Sequence, residues 1–141
     1  MSRIFFDTNV FIYLIERHPE FGMIAKSLVD RIALRDDQIV TSSMTVGEVL
    51  VKPIAMKDIS LVSLYRKFFD SGVVVIVPFD TQSAFEYAEI RQDKAVKSPD
   101  AIQLACAAAA KCDLFVTNDD RLSKKVIPGI QFIVSLDRVP I

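Results

Sequence analysis

The stretch Ile4-Phe5-Phe6-Asp7-Thr8-Asn9 places a short apolar run directly before three polar residues. The apolar run predicts a buried β-strand, and an acidic side chain stands where that strand ends. A second stretch of the same kind, Leu114-Phe115-Val116-Thr117-Asn118-Asp119, occurs late in the chain. Between the two stretches, strand patterns and helix patterns alternate, which is typical of a parallel sheet covered by helices. The alternation therefore predicts an α/β fold.

The spacing of apolar residues predicts five strands and the helices that connect them. The predicted strands cover Arg3–Phe6, Gln38–Thr41, Val73–Val77, Asp113–Thr117 and Ile130–Val134. The predicted helices cover Val10–Arg17, Phe21–Arg35, Ser43–Val51, Asp58–Asp70, Thr81–Lys94 and Pro99–Lys111, with a break expected at Lys52-Pro53. The unbroken apolar run Val73–Val77 indicates a strand that is buried on both faces. These elements predict a three-layer α/β/α sandwich with a mainly parallel sheet of about five strands.

Length and composition favour one domain over residues 1–141, with part of its apolar surface covered by a partner. The chain has 141 residues, 51% of them hydrophobic, and a mean hydropathy of +0.32. A net charge of −1 gives no general attraction for nucleic acid, so such a ligand would need a local basic patch. No apolar run reaches the roughly 20 residues of a membrane helix, and the N-terminus lacks a signal-peptide pattern. We therefore expect a cytoplasmic protein without membrane contact.

Four acidic residues lie where such a fold gathers side chains: Asp7, Glu48, Asp100 and Asp119. Asp7 and Asp119 follow predicted strands, and ligands of open α/β sheets bind outside the carboxyl ends of the strands. Glu48 lies among apolar residues in the middle of a predicted helix, where an ionised carboxylate is unfavourable unless it is paired or binds metal. An exposed pair with Lys52, four residues further on, is its structural alternative. Converging carboxylates favour Mg²⁺ or Mn²⁺, which prefer charged oxygen ligands.

The other three acidic residues also have structural interpretations. Asp7 would serve as a helix N-cap, and so would either Asp119 or its neighbour Asp120. Asp100 would interact favourably with the positive end of a helix dipole, behind Ser98 as the N-cap. All of these roles would have to coincide by accident at one edge of the sheet. The metal site is therefore the better interpretation.

Polar and basic residues near these acidic residues are candidates for supporting roles. Asn9 and Thr117 are expected to orient carboxylates or bound water, although both are also common turn residues. Arg91, Lys97 and Arg121 belong to a basic rim around the last two acidic segments. Such a rim would hold a polyphosphate backbone, although a solvated charged face has the same composition.

Several other classes of enzyme fit the sequence less well. The only histidine, His18, precedes a proline at a predicted helix end and is expected at the surface. This position argues against a Ser/His/Asp triad and a histidine-rich zinc site. A phosphatase of the haloacid dehalogenase type needs a second aspartate where this chain has Asn9. The four glycines do not form the G-x-G-x-x-G loop of dinucleotide-binding enzymes. Cys106 and Cys112 lack metal-site spacing and are expected to be reduced, partly buried thiols.

Four segments in this order carry a family resemblance. They are Ile4–Asn9, Thr45–Pro53 (Thr-Val-Gly-Glu-Val-Leu-Val-Lys-Pro), Ser98–Ala105 (Ser-Pro-Asp-Ala-Ile-Gln-Leu-Ala) and Phe115–Asp119 (Phe-Val-Thr-Asn-Asp). Together they resemble the PIN domain, and more narrowly the VapC-type toxins of toxin–antitoxin pairs. The resemblance extends from residue 3 to residue 134. It implies a metal-dependent endoribonuclease, a cognate antitoxin that covers its site, and a homodimer.

The resemblance also assigns roles to individual residues. It implies that Asp7, Glu48, Asp100 and Asp119 form the catalytic quartet, with Asp7, Asp100 and Asp119 binding Mg²⁺ or Mn²⁺. Asp119 is preferred over Asp120 because it holds the third place of the Thr-Asn-Asp motif. Metal-activated water would leave 5′-phosphate and 3′-hydroxyl ends on RNA. The alternative is a PIN-like module that binds RNA or protein without cutting.

The basic and apolar surfaces complete the expectations. The basic rim would contact backbone phosphates, and single-stranded loops are the favoured RNA substrates because their bases are accessible. The helices over residues 10–15 and 61–69 are strongly apolar. One of them is expected to leave an exposed apolar patch for a second protomer or for an antitoxin helix.

Overall fold

In the computed structural model, which describes residues 1–141, all five predicted strands form and join one sheet. The strands are β1 (Arg3–Phe6), β2 (Gln38–Ser42), β3 (Val74–Val77), β4 (Leu114–Thr117) and β5 (Phe132–Ser135). They pair in the order β3-β2-β1-β4-β5, and every pair is parallel. The prediction of an α/β fold is confirmed, and the sheet is parallel throughout.

Helices cover both faces of this sheet. They are α1 (Thr8–Ile15), α2 (Gly22–Arg35), α3 (Ser43–Ala55), α4 (Ile59–Asp70), α5 (Thr81–Ile90), α6 (Ser98–Ala109) and α7 (Asp120–Ser123), and a 3₁₀ turn follows at Leu136–Arg138. Alternate side chains of β1 point to opposite faces, as the pleat requires. Ile4 and Phe6 pack with α1 to α4, whereas Phe5 packs with α5 and α6. These are the three predicted layers. None of the helices has the length and apolar character needed to cross a membrane.

The strand order reverses between β1 and β4. From β1 the chain moves outward through β2 to β3, and it then returns to place β4 and β5 on the other side of β1. In parallel sheets the loops diverge at such a reversal and leave a crevice at the carboxyl ends of the strands. The ends of β1 and β4 at this crevice carry Asp7 and the Thr117-Asn118-Asp119 segment.

Strand β3 differs from its prediction. Its apolar sequence predicted burial on both faces, yet Val75 and Ile76 remain 38% and 37% exposed. The reason is its place at the edge of the sheet, where it pairs with β2 alone. A local apolar run cannot distinguish a central strand from an edge strand, because strand order is a property of the whole chain.

Helix α3 also differs from its prediction. It does not break at Lys52-Pro53 but continues to Ala55. Pro53 lies in the last turn, so it removes one N–H donor while the next turn still closes through the bond from Met56 N to Lys52 O (3.0 Å).

Smaller corrections concern α5, α6 and the histidine. Helix α5 ends at Ile90, four residues earlier than predicted, in a series of tight turns. The N-cap of α6 is Lys97, and the hydroxyl of Ser98 contacts Tyr87 Oη instead (2.7 Å). His18 is half-buried, and its Nδ1 accepts hydrogen bonds from backbone N–H groups that follow it. Both cysteines are buried and free, as expected.

The layer of α1 to α4 contains an aromatic cluster around Phe11. Its ring centroid lies 5.6 Å from that of Phe6, 6.0 Å from that of Phe68 and 5.3 Å from that of Phe69. Phe11 is fully buried, so its truncation would leave a cavity between α1, α4 and the sheet.

We expect the substitution Phe11→Ala to lower the free energy of unfolding by about 3–5 kcal/mol, because buried contacts are lost and a cavity forms. The matched control is Phe85→Ala, which removes a side chain that is 68% exposed. The control should change stability by less than about 0.5 kcal/mol. Urea denaturation of both variants checks this, and equal losses would contradict the packing described.

Candidate active site

Asp7 links β1 to α1 and contacts β4. Its backbone N–H continues the pairing of β1 with β4 by donating to Val116 O (3.0 Å). Its Oδ1 caps α1 by accepting from Thr8 N (2.8 Å), and its Oδ2 accepts from Thr117 Oγ1 (2.9 Å). The N-cap role uses Oδ1, whereas Oδ2 contacts Thr117 at the end of β4. The N-cap role therefore does not exclude a place for Asp7 in the acidic site.

Thr117 joins two of the acidic residues. Its side chain is buried, and while its hydroxyl donates to Asp7 it accepts from the backbone N–H of Asp119 (3.1 Å). One hydroxyl thus sets the position of Asp7 and the direction in which the chain leaves β4. This contact agrees with the supporting role predicted for Thr117.

Asp119 caps the short helix α7 and forms an ion pair with Arg121. Its Oδ1 accepts from Arg121 N (2.9 Å), and its Oδ2 lies 2.9 Å from Arg121 Nη2. These bonds hold the pKa of Asp119 below its usual range, with the side chain of Arg121 as the largest cause. The neighbouring Asp120 begins α7 and is exposed.

Asp100 lies in the first turn of α6 and is partly buried. Burial raises its pKa, and the negative charges of Asp119 and Glu48 add to the rise. The positive charges of Arg121 and Lys97 oppose it. The pKa of Asp100 therefore depends on the charges of Asp119 and Glu48.

Glu48 lies on α3 and approaches the site from the side. Its Oε1 accepts from Thr8 Oγ1 (2.7 Å) and lies 3.3 Å from Gln103 Nε2. Glu48 is exposed, and no ion pair joins it to Lys52. The ion pair of the structural alternative does not form, but the exposure that it assumed is present, so the expectation of an unfavourable carboxylate among apolar residues is wrong for Glu48.

Asp7 has the most strongly altered acidity among the four acidic residues. Burial raises its pKa from 3.8 to about 6, and the charges of Asp100 and Glu48 contribute in the same direction. The hydrogen bonds from Thr117 and Thr8 oppose the rise but do not cancel it. Removing a carboxylate from water while other anions lie nearby disfavours its ionised form.

These interactions connect all four acidic residues into one electrostatic group. Asp7 responds to Asp100 and Glu48, and Asp100 responds to Glu48 and Asp119. No three His, Cys, Asp or Glu side chains are gathered as a ready metal-binding cluster, and Asp119 is engaged with Arg121. The donors are nevertheless the oxygens that Mg²⁺ and Mn²⁺ prefer, and a cation would relieve their mutual repulsion. Their chemistry fits a divalent cation.

The remaining predicted residues lie around this group at different distances from it. Asn9 is exposed in the first turn of α1 and forms none of the hydrogen bonds that join the acidic residues. Lys97 caps α6 and acts on Asp100 through its charge. Arg91 lies at the end of α5 and bonds to Tyr87 Oη (3.2 Å). Of the three predicted basic residues, Arg121 alone forms an ion pair with one of the four acidic residues, Asp119.

Gln103 is a site residue that our sequence reasoning missed. Its side chain is 2% exposed and contacts Thr8, Thr45 and Glu48. A signal for it does exist, since it is the polar residue in an otherwise apolar stretch of α6, one turn after Asp100. Periodicity marks that stretch as core, and only tertiary contacts reveal what the amide binds.

The model of the PIN domain family matches residues 4–127, which includes all four acidic residues. The chain belongs to the PIN domain family. No curated protein sequence is significantly similar to it. The match covers most of the chain and agrees with the parallel sheet and the acidic crevice.

Solved structures share the fold over nearly the whole of this chain. A chain of VapBC2 from Rickettsia felis, bound to a promoter DNA fragment, is 18% identical with a TM-score of 0.70, and the match covers 94% of this chain and 98% of that one. A DNA-bound VapBC from Salmonella typhimurium gives 23% identity, a TM-score of 0.67 and coverage of 96% and 99%. A chain of a toxin–antitoxin complex from Klebsiella pneumoniae is 25% identical with a TM-score of 0.64, and the match covers 90% of this chain and 94% of that one.

We expect the carboxyl group of Asp7 to titrate with a midpoint of about 6 in protein treated with EDTA. Asp100→Asn should lower this midpoint by removing a negative charge, and Thr117→Val should raise it by removing a hydrogen bond to the ionised form. Carbon-13 NMR of the side-chain carboxyl groups measures all three values. A midpoint near the ordinary 3.8 in the parent protein would contradict the site described.

Proposed function

We propose that this PIN domain is a metal-dependent endoribonuclease and the toxin of a toxin–antitoxin pair. The observation that carries the proposal is the electrostatic group of Asp7, Glu48, Asp100 and Asp119 at the crevice between β1 and β4. Burial of Asp7 beside other carboxylates is unfavourable at neutral pH, and groups whose pKa is altered in this way are typical of functional sites. The PIN domain match and the VapBC structures among the neighbours support a toxin of this family, and the resemblance of the sequence implies RNA as the substrate.

In this proposal Asp7, Asp100 and Asp119 hold Mg²⁺ or Mn²⁺, and Glu48 completes the acidic group. The cation supplies a water of lowered pKa for attack on phosphorus. Thr117 fixes the position of Asp7 relative to the start of α7, and the hydroxyl of Thr8 orients Glu48 by donating to its carboxylate. Arg121 neutralises Asp119 until a cation takes over that role. The raised pKa of Asp7 belongs to the metal-free site, and a bound cation would lower it by favouring the ionised carboxylate.

The basic residues around the crevice are proposed to hold RNA phosphates. A cavity of about 310 Å³ beside Asp100 is lined by Arg121, Lys124 and Lys125 among others. Lys97 lies on the same side, at the start of α6. Arg91 is further away on α5, so we propose it as an outer contact. Because the net charge is −1, these local cations supply the attraction for RNA.

We expect purified protein to cleave RNA with Mg²⁺ or Mn²⁺, to be inactive with EDTA, and to leave 5′-phosphate ends. Asp7→Asn and Asp119→Asn should each reduce the cleavage rate by at least about 100-fold, because ligands of the cation are lost. Asp120→Asn is the matched control, since it removes the neighbouring charge, and it should keep most of the activity. Cleavage of labelled RNA and analysis of the product ends measure these effects.

Three outcomes of that experiment would count against the proposal. Equal cleavage by the parent protein and Asp7→Asn would point to a contaminating nuclease. Products ending in 2′,3′-cyclic phosphate would point to attack by the ribose hydroxyl. Binding of RNA without cleavage by any of the proteins would favour the non-catalytic PIN-like module.

The antitoxin is proposed to bind in an apolar groove between α1, α2 and α4. The groove has a volume of about 780 Å³, and its apolar lining includes Leu14, Met23, Leu64 and Phe68. Leu14 and Ile15 of α1, Leu64 and Phe68 of α4, and residues of α2 line it, whereas the sequence predicted that one of the two apolar helices would leave a patch for a partner. Arg17 lines the groove as well, and Lys26 is paired there with Asp30 (2.9 Å), so the proposed partner is an amphipathic helix that binds through its apolar face. The neighbours in solved structures are toxin–antitoxin complexes, which supports a partner of this kind.

We expect Leu64→Glu to weaken binding of the proposed antitoxin, because a charge enters the apolar groove. Leu64 is 48% exposed, so the substitution should leave the fold intact. Ser63→Glu, which adds the same charge one residue earlier on α4, is the control. Co-purification after joint expression compares the two variants, and equal capture by both would argue against the groove.

A homodimer is proposed on a different surface. Val51, Ile54, Met56 and Ile59, at the junction of α3 and α4, are each at least 58% exposed. A cluster of exposed apolar side chains within nine residues is the type of surface that a second copy covers.

A further inference from the structure

A buried amide on α6 joins the elements that surround the acidic crevice. Gln103 is 2% exposed, and a polar group in such a place is unfavourable unless hydrogen bonds satisfy it. Its partners come from other parts of the fold: Ser42 at the end of β2, Thr45 and Glu48 on α3, and Thr8 on α1. The amide therefore links α6 to β2, to α1 and to α3, the helix that carries Glu48.

The two ends of this amide face different partners. Its Oε1 accepts a hydrogen bond from Ser42 Oγ. Its Nε2 donates to Thr45 Oγ1 (2.7 Å) and to Thr8 Oγ1 (3.0 Å), and lies 3.3 Å from Glu48 Oε1. The reverse orientation would place an amide oxygen against a carboxylate oxygen with no hydrogen between them. The charge of Glu48 therefore selects the orientation of the amide.

The hydroxyl of Thr8 transmits this orientation to Glu48. A threonine hydroxyl carries one hydrogen. Because Thr8 Oγ1 accepts from Gln103 Nε2, its own hydrogen is free to be donated to Glu48 Oε1 at 2.7 Å. The hydrogen bonds form a directed chain from Ser42 through Gln103 and Thr8 to Glu48, in which each donor is fixed by the preceding one.

We propose that Gln103 is a positioning residue that holds the Glu48 carboxylate toward the acidic crevice, acting through Thr8. The importance of Glu48 rests on the proposed function, whereas the contact itself does not. Gln103 lies three residues after Asp100, on the same side of α6. Helix α6 therefore carries both Asp100 and the amide that orients Glu48. The helix fixes the position of Gln103 relative to Asp100.

The contact is tested first in protein without metal. In ¹⁵N–¹H spectra with EDTA, the side-chain amide signals of Gln103 are identified by their loss in Gln103→Met. We expect these signals to move in Thr8→Val, which removes an acceptor of the amide, and in Glu48→Gln, which removes the negative charge 3.3 Å from Nε2. Glu89→Gln, which changes an exposed glutamate on α5, is the control and should leave them unchanged. Unchanged signals in Glu48→Gln would overturn the proposal, whether or not the protein cleaves RNA.

The consequence for the site is tested by the dissociation constant of Mn²⁺, measured by calorimetry. We expect Gln103→Met to weaken Mn²⁺ binding about tenfold, as the loss of a group that orients a ligand does. Gln103→Asn keeps a buried amide but is one methylene too short to reach Thr8, so it should weaken binding to the same degree. Circular dichroism confirms that both variants fold.

A double variant separates positioning from a general structural effect. If Gln103 acts through Glu48, the double variant Gln103→Met/Glu48→Gln should bind Mn²⁺ no more weakly than Glu48→Gln alone. Losses that add, or unaltered Mn²⁺ binding in folded Gln103→Met and Gln103→Asn, would overturn the proposal. Absence of Mn²⁺ binding in the parent protein would count against the proposed function, and the amide spectra would then decide the Gln103 contact.

Discussion

The parallel pairing of β1 with β4 is the constraint on which the site depends. These strands are neighbours at the reversal of strand order, so their carboxyl ends open into the same crevice. The bond from Asp7 N to Val116 O extends the pairing by one residue beyond β1, and Thr117 then links Asp7 to Asp119. The helices that follow these strands begin at the acidic residues themselves. The placement of Asp7 and Asp119 is therefore a direct consequence of the backbone pairing, whereas α3 and α6 bring Glu48 and Asp100 to the same crevice.

The buried carboxyl of Asp7 lowers the stability of the fold at neutral pH. A carboxyl whose pKa rises from 3.8 to about 6 on folding binds its proton more tightly in the folded state. Its contribution to stability is full below its unfolded pKa and declines as the pH rises through this interval. At neutral pH the folded chain thus carries an unfavourable charge at Asp7. Sites that bind cations or do chemistry commonly retain strain of this kind.

The apolar character of the chain is divided between its core and its surface. Phe11 and Phe115 are fully buried on opposite faces of the sheet, which accounts for part of the mean hydropathy of +0.32. Part of the remainder lies exposed at the α1–α2–α4 groove, the α3–α4 junction and the edge strand β3. A small PIN domain that works with protein partners has a use for such surfaces, whereas an isolated monomer gains nothing from them.

The sequence by itself determined the α/β class, the five strands and the candidacy of the acidic residues, because these depend on local patterns. Short apolar runs that end in Asp7 or in Thr117-Asn118-Asp119 are legible without coordinates. Only the tertiary structure decided that β3 lies at the edge, that Glu48 bonds to Thr8 rather than to Lys52, and that Gln103 lies beneath the site. Those facts depend on which distant segments meet, and strand order and helix packing set such meetings for the chain as a whole.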